Sequence, residues 1–146
     1  MLRNSIRLIP LVGISLALGS TSTLASSKAC GDFLSHITTY SCTVTPSIGT
    51  AFHDCFVASG SGGSFSGEFS VLAIGFGIDC VCNATGTPSR PKLQSSRTNF
   101  VCNSANSLAF EGKLVAAGKK ITHGNAVDKY GTAYSLTCEQ VTSCSP

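Results

Sequence analysis

The stretch GIDCVCNATG, residues 77–86, decides the fold because it sets two cysteines on either side of a single valine. In a strand, side chains two residues apart point to the same face, so Cys80 and Cys82 share one face and Val81 occupies the other. Their Cα atoms then lie about 6.5 Å apart with parallel side chains, which disfavours a bond between them. We therefore expect two inward-facing cysteines, each bonded to a different neighbouring strand.

The same alternation of apolar and polar residues recurs along the chain. The apolar faces are predicted to comprise Phe65, Phe69, Val71 and Ala73; Phe100 and Cys102; Leu108, Phe110 and Leu114; and Tyr134, Leu136 and Cys138. Turn signals separate these runs every 8 to 12 residues or so. The pattern predicts an all-β fold: an antiparallel meander of about seven or eight short strands, closing into a small barrel or sandwich and stapled by disulfides. Residues 30–44 fit either a helical turn capped by Asp32 or a first strand.

Eight cysteines, an even number, predict four disulfides in an exported chain. They are Cys30, Cys42, Cys55, Cys80, Cys82, Cys102, Cys138 and Cys144. A zinc site would need paired spacings of two to four residues, and the tight pair here is separated by one. Asp79 beside Cys80 disfavours the lowered thiol pKa of a redox pair. We expect no metal and no cofactor, and the disulfide connectivity stays open apart from excluding a bond between Cys80 and Cys82.

The N-terminal residues have the three parts of a secretory signal peptide. Basic residues Arg3 and Arg7 precede the uncharged stretch LIPLVGISLALG, residues 8–19, and a small polar segment follows. That apolar stretch is shorter than the roughly 20 residues of a membrane-spanning helix. The prediction is a signal peptide over 1–25 and a single secreted disulfide-rich β domain over 26–146. The mature protein is expected outside the cell, or in the periplasm of a bacterium, with no membrane anchor after cleavage.

Charge and short motifs limit the partners. Removing Arg3 and Arg7 leaves 10 − 2 = 8 basic against 7 acidic residues, which argues against a nucleic-acid binder. Asn83 begins an Asn-Ala-Thr sequon and is interpreted as either a glycan acceptor or a turn-forming asparagine. The loop 85–97, with Arg90 and Arg97, is the contact that an inhibitor or toxin-like effector would use. The expected partner is a small polar ligand or an extracellular surface.

A candidate binding site comes from KITHGNAVD, residues 120–128. Simple alternation places His123 and Asn125 on one face with Ile121, so two polar groups interrupt an apolar row. The following hairpin brings Tyr134 onto the neighbouring strand. An imidazole, an amide and a phenol suit an uncharged polar ligand such as a sugar. Alternatively, the three side chains satisfy one another in the core.

No residue is assigned a catalytic role. His53 is followed by Asp54, which in a strand points to the opposite face and so does not orient the imidazole. The sequence carries no nucleophile elbow, no zinc-protease helix motif and no phosphate loop. We favour a non-catalytic binding or structural module of the cell exterior. The alternative is a small secreted hydrolase that uses His53 or His123 with a carboxylate from another strand.

Overall fold

A computed structural model describes residues 29–73, 77–82, 98–104 and 108–146. Eight antiparallel strands close into a barrel in which each strand pairs with its neighbours in sequence and the last pairs with the first. The strands are β1 Thr38–Pro46, β2 Phe52–Ser61, β3 Ser64–Phe69, β4 Gly77–Cys82, β5 Asn99–Ser104, β6 Ala109–Val115, β7 Lys120–Val127 and β8 Ala133–Val141. A short 3₁₀ helix, Cys30–Leu34, precedes them. The all-β prediction is confirmed, and the architecture is a barrel. The predicted signal peptide, the Asn83 sequon and the loop 85–97 lie outside the described residues.

Aromatic rings fill the interior of the barrel. Six buried rings follow one another in contact, with centroids 4.4 to 6.2 Å apart: Tyr40, Phe56, Phe69, Phe110, Phe100 and Phe65. An eight-stranded barrel encloses a space just wide enough for side chains to fill. Over the strands that the structure describes, the lumen is therefore a packed core that leaves a ligand little room.

All eight cysteines form disulfides, which confirms the predicted count. The pairs are Cys30–Cys82, Cys42–Cys138, Cys55–Cys144 and Cys80–Cys102. Cys80 and Cys82 are not bonded to each other, as expected. Cys80 joins the cysteine directly opposite on β5, whereas Cys82 reaches the 3₁₀ helix rather than a strand. A third bridge links β1 to β8 and so locks the seam at which the barrel closes.

The sequence left residues 30–44 as either a helical turn or a first strand, and the structure contains both. The 3₁₀ helix comes first, and β1 follows with Tyr40, Cys42 and Val44 buried. Asp32 lies inside the helix and does not cap it; its Oδ1 accepts the N–H of Gly62, 2.6 Å away. The buried Tyr40 hydroxyl donates to the carbonyl of Gly118 in the β6–β7 turn. These contacts close one end of the barrel.

The predicted inward faces are confirmed in β3, β4, β5, β6 and β8, with one exception near β3. Val71 was expected inside and is 41% exposed. The strand ends at Phe69, so alternation no longer fixes the direction of Val71. Ala73, further along the same connection, is buried as predicted.

Candidate functional site

An extra residue in β7 reverses the predicted faces of that strand. Ile121 pairs with Cys138 and Gly124 pairs with Leu136, so β7 advances by three residues over a length in which β8 advances by two. Beyond this bulge the inward positions are Gly124 and Ala126, not His123 and Asn125. The prediction of an inward His123 and Asn125 is wrong because a bulge shifts every later side chain to the other face.

The residues of the bulge explain its geometry. At Gly124 an added Cβ would lie 2.7 Å from the Leu136 carbonyl oxygen, so the close approach of β7 to β8 requires glycine. His123 takes φ 51, in the left-handed region that few residues other than glycine adopt. Such backbone strain costs about 1 kcal/mol or more. Ala116 and Ala117 in the β6–β7 turn share it, but among these three described residues His123 is the one with a polar side chain. The bulge therefore marks His123 as a candidate functional residue.

Outside the bulge, β5, β6 and β7 form a groove on the outer wall of the barrel. Its volume is about 450 Å³. The polar side chains that line it are Asn99, Glu111, Lys113, His123 and Asn125. The strand register explains their proximity, because Val101 faces Glu111 and Glu111 faces Asn125 across the sheet. We call this surface the outer groove.

A hydrogen bond joins the Asn125 side chain to the backbone of His123 in the outer groove. The Asn125 side-chain amide donates to the His123 carbonyl at 3.3 Å. The His123 Nδ1 lies 3.2 Å from the hydroxyl of Thr122. Both side chains are exposed, so their remaining hydrogen-bonding groups face solvent.

Tyr134 lies elsewhere, at one mouth of the barrel. Its ring is half-buried on the inner side of β8, edge-on to Phe52 with centroids 6.5 Å apart. Its hydroxyl donates to Asp128 Oδ2 at 2.8 Å. This hydrogen bond, together with partial burial and the carboxylate charge, raises the pKa of Tyr134. The structure thus unites His123 and Asn125 and separates Tyr134 from them.

The Asp128 carboxylate receives several donors from its own loop. Burial works to raise its pKa, but hydrogen bonds from the Thr132 N–H, the Tyr134 hydroxyl and the Tyr130 N–H together bring the pKa below its usual value. The Asp128 carboxylate therefore has a structural role in the β7–β8 loop.

The strand β2 carries an acid whose role the sequence analysis missed. His53 is exposed on the outer wall, whereas Asp54 is fully buried on the inner face, so the predicted separation of the two is confirmed. The Asp54 carboxylate accepts the N–H groups of Cys55, Val71 and Leu72 at 2.7 to 2.9 Å. Asp54 anchors the chain that leaves β3 and is a structural residue. The available signal was its position in the inward row before Phe56 and Ala58.

The outer groove also contains residues that the sequence analysis did not join to the site. The sequence alone assigns no role to Glu111, Lys113 or Asn99. These residues line the outer groove because β5, β6 and β7 are neighbours in the sheet, and alternation within one strand does not show which strands are neighbours. Within the described ranges, no group of three or more histidine, cysteine or acidic side chains is arranged to hold a metal ion. In those same ranges, no helix has the length and apolar character needed to cross a membrane.

Comparison with family models, with curated proteins and with solved structures finds no match to this chain.

Proposed function

We propose that this protein is a secreted, non-catalytic binding module that holds a polar ligand, such as a saccharide, in the outer groove. The observation that carries the proposal is the strained backbone of His123, which turns the imidazole outward into that groove. Strain at an exposed position lowers stability, and the exposed imidazole contributes little burial in return. A binding role accounts for such a residue better than a packing role.

The chemistry of the outer groove favours an uncharged ligand rich in hydroxyls. His123, Asn125 and Asn99 offer both donors and acceptors. Glu111 and Lys113 add one negative and one positive charge, so the lining brings no excess of either sign. A phosphate would require a clearly basic groove. The hydroxyl groups of a sugar pair with the same donors and acceptors and carry no charge for the groove to balance.

Secretion is supported by two independent features. The N-terminal sequence has the anatomy of a signal peptide, and four disulfides are typical of an oxidising compartment. N-terminal sequencing of the exported protein is expected to start at Ser26. An exported product that retains Met1 would contradict the cleavage.

Binding can be tested on a panel of neutral polysaccharides: mannan, xylan, chitin and β-glucan. The wild-type protein is expected to bind at least one, and Asn125→Ala to weaken that binding about fivefold or more through lost hydrogen bonds. His53→Ala is the matched control, because His53 is equally exposed but lies on β2, away from the outer groove. If Asn125→Ala and His53→Ala bind alike, or if the wild type binds no member of the panel, the proposal fails.

One observation keeps hydrolysis as a second candidate. Glu111 on β6 lines the same groove as His123 on β7, which is the combination of a histidine with a carboxylate from another strand. A hydrolase would release shortened products from the bound polysaccharide and lose this activity in Glu111→Gln. A binding module leaves the polysaccharide intact.

A further inference from the structure

Two apolar side chains protrude from adjacent loops at one end of the barrel. Ile48, in the β1–β2 loop, is 89% exposed and Tyr130, in the β7–β8 loop, is 81% exposed. The two loops run side by side, because the Ser47 N–H donates to the Ala133 carbonyl at 2.8 Å. Val127 at the end of β7 adds a further partly exposed apolar residue. We call this end the apolar tip.

The loop that carries Tyr130 is held in place by its own hydrogen bonds. Asp128 Oδ1 accepts the N–H groups of Tyr130 and Thr132, both at 2.9 Å. The Gly131 N–H donates to the Asp128 carbonyl, and Gly131 takes φ 83, in the left-handed region that glycine adopts without strain. The exposed Tyr130 ring is held on a well-braced loop and adds nothing to the barrel core, so it is available for an external contact.

The apolar tip carries one exposed cation, Lys129, next to the acid Asp128. Lys129 Nζ lies 5.0 Å from the centre of the Tyr130 ring. The adjacent acid, Asp128, directs both carboxylate oxygens into the loop, where they accept N–H groups and the Tyr134 hydroxyl. An ammonium thus accompanies a phenol and an aliphatic side chain, which is the combination found at the boundary between lipid headgroups and acyl chains.

We propose that the apolar tip binds the surface of a lipid bilayer that carries anionic headgroups. Ile48 and Tyr130 enter the interfacial region, and Lys129 contacts lipid phosphate. The apolar tip joins two apolar side chains to a cation, and an anionic bilayer surface accepts both kinds of group. This contact is peripheral and does not depend on the outer groove.

The absence of tryptophan from the chain allows a direct test. Ile48→Trp places a single tryptophan in the apolar tip. Ile37→Trp is the matched control, because Ile37 is 78% exposed just before β1, at the opposite end of the barrel. With vesicles of phosphatidylcholine and phosphatidylserine in about equal amounts, the emission of the first variant is expected to shift to shorter wavelength and that of the control to stay unchanged. No shift at position 48, or equal shifts at both positions, would overturn the proposal.

Sedimentation with the same vesicles tests the native side chains. Ile48→Ser and Tyr130→Ser are each expected to weaken binding about tenfold, from the loss of one buried apolar side chain. Lys129→Ala is expected to cost about fivefold on these vesicles and nothing on pure phosphatidylcholine. Ile37→Ser should bind as the wild type does. A wild-type protein that sediments with neither vesicle, as a purely protein-directed tip would predict, overturns the proposal.

Discussion

Removing the Asp54 carboxylate should destabilise the barrel strongly. Asp54→Ala leaves three backbone N–H groups without their acceptor: those of Cys55, Val71 and Leu72. Each backbone N–H left without an acceptor costs about 1 to 1.5 kcal/mol after solvation is counted, so we expect a loss of about 3 to 4.5 kcal/mol. Asp54→Asn should cost about half as much. Its single oxygen still accepts from Cys55 and Val71, but its NH₂ faces the Leu72 donor.

Denaturant unfolding of the oxidised protein measures these losses, and amide hydrogen exchange at Val71 and Leu72 locates them. Asp79→Ala is the matched control because Asp79 is exposed on the outer wall of β4, and its effect should stay within about 0.5 kcal/mol. The reasoning is refuted if Asp54→Ala unfolds within about 0.5 kcal/mol of the wild type.

Three further predictions concern a hydrogen bond, a disulfide and a carboxylate that hold the barrel and its loops together. Tyr40→Phe removes the hydrogen bond to the Gly118 carbonyl and should lower the free energy of unfolding by about 1 to 2 kcal/mol in denaturant titrations. Replacing Cys42 and Cys138 by alanine opens a loop of 96 residues and should cost about 4 kcal/mol, seen as a lower midpoint of thermal unfolding. The pKa of Asp128 is lower in the folded protein than in the unfolded chain, so the unfolded chain binds the proton first as the pH falls. The stability that the Asp128 carboxylate contributes is therefore lost as the pH falls through its folded-state pKa. The stability difference between wild type and Asp128→Asn should therefore be full near neutral pH and shrink below about pH 4, and an unchanged difference would contradict this.

The barrel was largely predictable because its strands obey simple alternation. The spacing of Cys80 and Cys82 correctly indicated a strand with two inward cysteines that do not bond each other. Their partners depended on which strands are neighbours and on the 3₁₀ helix beside β2 and β3, and alternation does not carry that information. The closed barrel, rather than a sandwich, follows from the pairing of β1 with β8, a contact between the two ends of the chain.

The candidate site was only half predictable because one extra residue changes the face of everything after it. His123 and Asn125 were identified by their polar character and do lie together, but on the outer wall. The signal for the bulge was Gly124, whose missing side chain allows the close approach to Leu136. Tyr134 was assigned its inward direction correctly because β8 has no bulge within its own alternation. The prediction that Tyr134 lies beside His123 is wrong because the bulge turns His123 to the outer face of β7.

The central claim, that the strained His123 serves binding and not the fold, is tested most directly by His123→Gly. Glycine adopts φ 51 without strain, so the free energy of unfolding should stay the same or rise by up to about 1 kcal/mol. The same variant should no longer gain thermal stability from the polysaccharide that stabilises the wild type. A loss of more than about 1 kcal/mol without ligand would show that the imidazole supports the fold, and stabilisation by the polysaccharide equal to that of the wild type would show that it does not bind.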